Sequence, residues 1–280
     1  MSQADQELVE VPGPTALGGG WRRFFELLYL IAVTDFKKNY FDTALGYLWS
    51  LARPLMLFAV LLFVFTRIFR VGSDVEFYPV LLLFNIVLMT FFQEATIGSV
   101  TSVVGQEGIV RKTHFPRLVI PLSIVLTGIF NLGLNLIAVL VFMLAFGVPV
   151  TWTWLLFPLV VLALFVITVA ISMLLSSLYV RFRDLGIIWS VAVTALFYAT
   201  PVLYPIEIVP EQYVKWIMIN PLTPIFEQAR HWVIDPSAPG AVAAAGGWIH
   251  LLPAIAIFIG TCVLAVWVFR REAPRIAEEL

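Results

Sequence analysis

Cysteine and charge are the scarcest features of this 280-residue chain. Cys262 stands alone in an apolar stretch, so an internal disulfide framework and a cysteine-based zinc site are both excluded. Asp, Glu, Lys and Arg make up only 12% of the residues, while 61% are hydrophobic. That is about half the usual charged fraction and rules out an ordinary soluble domain. With 17 Lys+Arg against 18 Asp+Glu, no global positive field points to nucleic acid, and the information lies in where each charge sits. Residues 1–20 hold acids but no Lys or Arg and no apolar run, which argues against a cleaved secretory signal. They read as a disordered cytoplasmic N-terminus.

Catalytic patterns are missing as well. No GxxxxGK[ST] run is present, so the chain has no P-loop of its own for ATP hydrolysis. His114, His231 and His250 are far apart beside loops and no HExxH occurs, so no metal site is expected. No GxSxG elbow frames a nucleophile, and Ser99, Ser102, Ser172, Ser176 and Ser177 read as helix-packing residues. The chain reads as a non-enzyme without a cofactor, and any energy it uses must come from a partner.

What is abundant is long apolar sequence. A spanning helix needs about 20 apolar residues, and six stretches qualify: 48–69, 77–104, 118–146, 154–180, 187–204 and 248–269. The expected fold is therefore all-α and integral to the membrane, with a six-span domain over 48–269. With the N-terminus inside, Arg22, Arg23, Lys37, Lys38, Arg111, Lys112, Arg117, Arg181, Arg183, Arg270, Arg271 and Arg275 lie on the cytoplasmic side. Only Arg67, Arg70, Lys215 and Arg230 fall outside. The positive-inside rule thus places both termini, including residues 270–280, in the cytoplasm.

Three segments between spans carry further signals. Residues 21–40 alternate Trp21, Phe24, Phe25, Leu28 and Ile31 with charge at helical spacing and predict an amphipathic interfacial helix. The basic loop Gly105–Pro116 suits either a positive-inside anchor or a short helix across the membrane face. The connection 206–247 is apolar enough for two short re-entrant helices, the second with Thr223 as N-cap and Pro224 at its first position. Asp184 is expected to pair with Arg181 or Arg183 in a surface contact of about 0 to 1 kcal/mol. Of the charged side chains, Arg53 and Glu94 are the two expected at membrane depth, and the sequence leaves open whether they pair.

Four blocks in this order, LGYLWSLARPL from Leu45, IVRKTHFPRLVIPLS from Ile109, YVRFRDLG from Tyr179 and NPLTPIFEQAR from Asn220, resemble the permease subunit of ABC-2 type polysaccharide exporters of the O-antigen, teichoic acid and galactan kind. The resemblance covers the chain from Trp21 onward. It implies a homodimer in the bacterial cytoplasmic (inner) membrane, with two separate nucleotide-binding ATPase subunits that supply ATP and Mg2+, and a lipid-linked glycan as cargo. It also implies that Gly108, Arg111, Lys112, His114, Phe115 and Pro116, with Arg181, Arg183 and Asp184, couple to the ATPase. Arg22, Arg23, Lys37, Lys38 and Arg53 would meet a lipid diphosphate at the lateral entry. Sugar rings stack on aromatics, so Phe91, Phe92, Tyr198 and Tyr204 are candidate channel residues beside Glu94. Tyr213, Trp216, Phe226 and Trp232 would form an outer gate. An ABC-2 exporter of drugs or lipids and an ion-coupled secondary transporter dependent on Glu94 are the rival readings.

Overall fold

The computed structural model describes residues 20–40, 46, 48–68, 75–106, 108 and 116–272. Among these residues, all regular structure is helical. Helix α1 spans Gly20–Tyr40, α2 Leu48–Phe63, α3 Tyr78–Val100, α4 Val119–Ala145, α5 Phe157–Tyr179 and α6 Leu185–Ala199. They are followed by α7 (Glu211–Ile217), α8 (Leu222–Val233) and α9 (Trp248–Glu272). Five segments among the described residues are long and apolar enough to cross a membrane: α2 with its π-helical continuation to Ile68, α3, α4, α5 with the 3-10 turn before it, and α9.

Helix α3 is the axis of the bundle. It packs on α4, α5, α2 and α6, and 78% of its most apolar window is buried against 11% for α2. Lipid is as apolar as leucine, so close approach and interhelical hydrogen bonds, not exclusion of water, must hold these helices together. A Cβ at Gly128 of α4 would come within 3.2 Å of the Phe91 ring, so glycine is what lets that ring lie against the α4 backbone. Hydrogen bonds add to this packing. Trp189 Nε1 of α6 donates to Thr96 Oγ1 of α3 at 3.1 Å, and Thr127 Oγ1 of α4 reaches the Ala32 carbonyl of α1 at 3.1 Å.

Two expectations change. The run 77–104 is not one helix: α3 ends at Val100, and the chain re-forms a single turn only at Ser102–Gly105. The run 187–204 yields a helix of 15 residues, about 22 Å long and shorter than the hydrocarbon core. Its end has a local cause. Pro201 disfavours helical geometry in the residue before it, and Thr200 is extended at φ −87°, ψ 143°. The non-helical stretch that follows is buried, yet its backbone is partnered. Tyr78 OH donates to the Leu203 carbonyl at 2.7 Å, and Asn85 Nδ2 donates to that of Pro201 at 3.1 Å. Irregular backbone inside a bundle requires such donors.

Helix α1 runs along α4. Ala32 is fully buried, and Phe36 and Tyr29 meet Phe130 edge-on at centroid distances of 5.7 and 6.4 Å. Trp21, Phe25 and Leu30 remain exposed, as an interfacial helix requires.

Candidate functional site

Trp49, Arg53 and Met56 follow the helical repeat along one face of α2, and Asn131 and Asn135 share a face of α4. With Ser50 and Glu94 of α3 they line a cavity of about 530 Å³. Arg53 Nη1 donates to Glu94 Oε1 at 3.1 Å, so the two charges expected at membrane depth do pair. The Arg53 side chain is 77% exposed and that of Glu94 38%, so the pair sits in an open recess and not in the packed core. Asn135 Nδ2 donates to the Asn131 carbonyl at 2.9 Å. The wall thus combines an indole, a guanidinium, a carboxylate and two carboxamides, groups suited to phosphate oxygens and hydroxyls.

The other basic residues assigned to lipid entry do not join this recess. Arg22 is exposed and bonded to Glu26 at 2.9 Å, and Arg23 and Lys38 are exposed. Lys37 borders a separate shallow depression with Tyr29, Phe36, Phe130 and Gly133. That depression lies on a different face of α4 from Asn131 and Asn135.

Among the coupling residues, Arg111, Lys112, His114 and Phe115 lie outside the described residues; Gly108 is exposed and Pro116 half-buried. The expected pairing of Asp184 with Arg181 or Arg183 is not formed. Instead the Arg181 guanidinium lies over Phe182 at 5.6 Å and that of Arg183 over Tyr179 at 5.3 Å. The Asp184 carbonyl accepts from the Ile187 and Ile188 N–H groups and so starts α6.

The channel and gate aromatics divide. Phe91 and Phe92 are buried at 3% and 0% exposure, Phe91 against Gly128 and Phe92 edge-on to Trp189. They are core residues here and present no face to a sugar. Phe226, on the inner face of α8, is buried likewise. Tyr198, Tyr213 and Trp216 are exposed, while Tyr204 and Trp232 are half-buried, with Tyr204 OH on the Tyr198 carbonyl at 3.3 Å. The Thr153 hydroxyl caps the Trp232 carbonyl and pins α8 to the turn before α5.

Thr223 is not the N-cap of α8. Pro221 precedes the helix and Asn220 does the capping, with its Oδ1 accepting from the Leu222 N–H at 3.1 Å and its Nδ2 donating to Thr200 Oγ1 at 2.8 Å. The capping shift also moves Pro224 to the third helical position. Ser99, Ser102, Ser176 and Ser177 bond carbonyls three or four residues back, as packing residues do.

The sequence reading missed a second charged group. Arg230, placed outside as an ordinary basic residue, is buried with its side chain 6% exposed. Its Nη1 donates to Glu207 Oε2 at 2.7 Å and lies 3.8 Å from Glu227 Oε2, and its Nη2 lies 3.8 Å from Asp235 Oδ2. A signal was present: Phe226, Glu227, Arg230 and Val233 follow the helical repeat, which puts two charges on the apolar stripe of α8. No group of histidines, cysteines and acids among the described residues is arranged to hold a metal ion.

Comparison with known proteins sets this arrangement in a family. The model of the ABC-2 type transporter family matches residues 26–233, from α1 through α8. The chain belongs to that family. This ABC-2 transporter chain is 33% identical over 200 residues to "O-antigen export system permease protein RfbA" of Klebsiella pneumoniae, covering 71% of the chain and 76% of the relative. It is 27% identical over 248 residues to the protein of that name from Myxococcus xanthus, covering 88% and 93%. It is also 23% identical over 232 residues to "Polysialic acid transport protein KpsM" of Escherichia coli, covering 82% and 87%. The chain is accordingly a multi-pass membrane transport subunit.

Proposed function

We propose that this chain is the permease subunit of an ATP-driven exporter that moves a lipid-linked polysaccharide across the bacterial cytoplasmic membrane. The observation that carries the reading is the match along 88% of the chain to a relative named as an O-antigen export permease. A polysialic acid transport protein among the relatives widens the cargo to polysaccharide as a class.

Two copies of the chain form the conduit, and two separate ATPase subunits, which bind ATP and Mg2+, dock on the inner loops around Gly105–Pro116 and Arg181–Asp184. Both termini lie in the cytoplasm, as the distribution of Lys and Arg favours. The cavity around Arg53 receives the lipid diphosphate. A guanidinium makes charge-assisted, bidentate bonds to phosphate oxygens, and Arg53 is exposed enough to exchange Glu94 for phosphate without burying a bare charge. Trp49 offers a flat apolar face to the first sugar, and Asn131 and Asn135 offer amide groups to its hydroxyls.

The test is transport in proteoliposomes holding the permease with its ATPase and a lipid-linked glycan. Glycan should appear on the far side only with ATP and Mg2+. Uphill accumulation driven by a proton gradient without nucleotide would overturn the reading.

A further inference from the structure

The charged group on α8 has a geometry that a static ion-pair network does not satisfy. One guanidinium faces three carboxylates, and only Glu207 lies within hydrogen-bonding distance, at 2.7 Å. The 3.8 Å separations to Glu227 and Asp235 are too long for a hydrogen bond. Asp235 has its own donors, the Ser237 N–H at 2.9 Å and the Ser237 hydroxyl. Glu207 is partly open to water. Glu227 has neither: its side chain is 3% exposed, and its Oε2 is buried with no hydrogen-bond partner. With all three acids ionised, the group would carry two uncompensated negative charges around one arginine.

We infer that Glu227 is a proton-binding site of the outer helical cap, protonated while α8 is seated on α5 and ionised when α8 lifts away. A neutral carboxyl removes the repulsion from Glu207 and Asp235 and the cost of an ionised oxygen without a donor. Burial first, and then the neighbouring Glu207 charge, push the Glu227 carboxyl up to about 8, with Arg230 opposing. Burial, and after it the charge of Glu227, also raise the Tyr204 phenol.

Beside Glu207, Arg230, Asp235 and Tyr204, few titratable groups lie on the elements packed around α8. α5 presents only Tyr179, at its far end, and the turns Trp152–Leu156 and Ala241–Ala244 hold no ionisable side chain. Tyr78 of α3 spends its hydroxyl on Leu203, His231 of α8 is bonded to the Ala238 carbonyl, and His250 of α9 to that of Gly246. Glu211 and Lys215 of α7 are exposed. Once α8 lifts, water lets Glu227 ionise near its ordinary value of 4.5. The ratio of lifted to seated α8 therefore rises on the order of tenfold per pH unit until about pH 8, then levels off. A proton from the outer face thus favours closure, and its loss favours opening.

The experiment is hydrogen–deuterium exchange of the full-length permease in lipid nanodiscs at about pH 6, 7 and 8, corrected for the intrinsic pH dependence of amide exchange. Peptides over residues 204–240 should lose protection by on the order of tenfold per pH unit, while those of α3 stay unchanged. Glu227→Gln, which copies the neutral carboxyl, should abolish the slope. A flat wild type, or an equal slope in Glu227→Gln, would overturn the proposal. If the variant does not assemble, infrared spectroscopy of the wild type decides: a protonated-carboxyl band at about pH 6 that fades beyond about pH 8 supports it, and no such band at about pH 6 overturns it.

Discussion

Two arginine–carboxylate groups stand at different places in this bundle and show what burial does to the same chemistry. Arg53 and Glu94 face each other at 3.1 Å in an open recess, neither covered by the bundle. Arg230 holds Glu207 at 2.7 Å, but Glu227 and Asp235 crowd the same guanidinium in a site where Arg230 and Glu227 are almost wholly covered. The exposed pair gains little from being formed and loses little on breaking, so it can exchange partners. In the buried group no charge can change without a structural consequence. The first arrangement suits binding and the second suits a latch.

The comparison breaks most directly at Arg230. Arg230→Ala removes the only cation among three carboxylates and should cost about 3 to 5 kcal/mol, seen as a lower unfolding temperature and poor recovery of folded protein. Next comes Glu227→Gln. Because the carboxyl is raised from 4.5 to about 8 in the folded protein, its penalty is absent below about pH 4.5, grows as pH rises and is complete above about pH 8. The variant should match wild type in acid and exceed its stability by on the order of a few kcal/mol in alkali, measured by thermal unfolding across that range. Tyr78→Phe strips the Leu203 carbonyl of its donor inside the bundle and should cost about 1 to 3 kcal/mol. The smallest effect on stability belongs to the open pair. Arg53→Ala should shift unfolding by no more than about 1 kcal/mol, yet it should reduce ATP-driven glycan export by roughly tenfold, the loss of one charge-assisted contact. Equal stability losses for Arg53→Ala and Arg230→Ala would erase the distinction between the two groups.

Hydropathy alone located α3, α4, α5 and α9 to within a few residues, because a bilayer demands a minimum apolar length whatever the helix touches. It overran α6, where the apolar composition continues through Val202, Leu203 and Tyr204 although the helix has ended. Pro201 stops the helix there, and the donors on Tyr78 and Asn85 that tolerate the break lie on another segment. Arg53 and Glu94 stood out because charge within a span is rare, and their pairing was posed as a question that side-chain reach then decided. Arg230 escaped because a charge in a connection between spans is ordinarily solvated; its place on the apolar stripe of α8 was the local sign that the face is covered, and only the packing shows that α5 and the turn before it cover it. Phe91 and Phe92 were offered as sugar platforms on residue type; a glycine on α4 and a tryptophan on α6 made them core.

The sequence by itself determined that this chain is helical and membrane-embedded, since apolar length and charge placement are properties of a chain read in order. The tertiary structure decided which charges meet and how much water each one keeps. Arg53 and Glu94 are 41 residues apart, and Glu207 and Arg230 are 23 apart. Coulomb and desolvation energies depend on distance and cover in space, and neither quantity exists until helices from separate parts of the chain have packed.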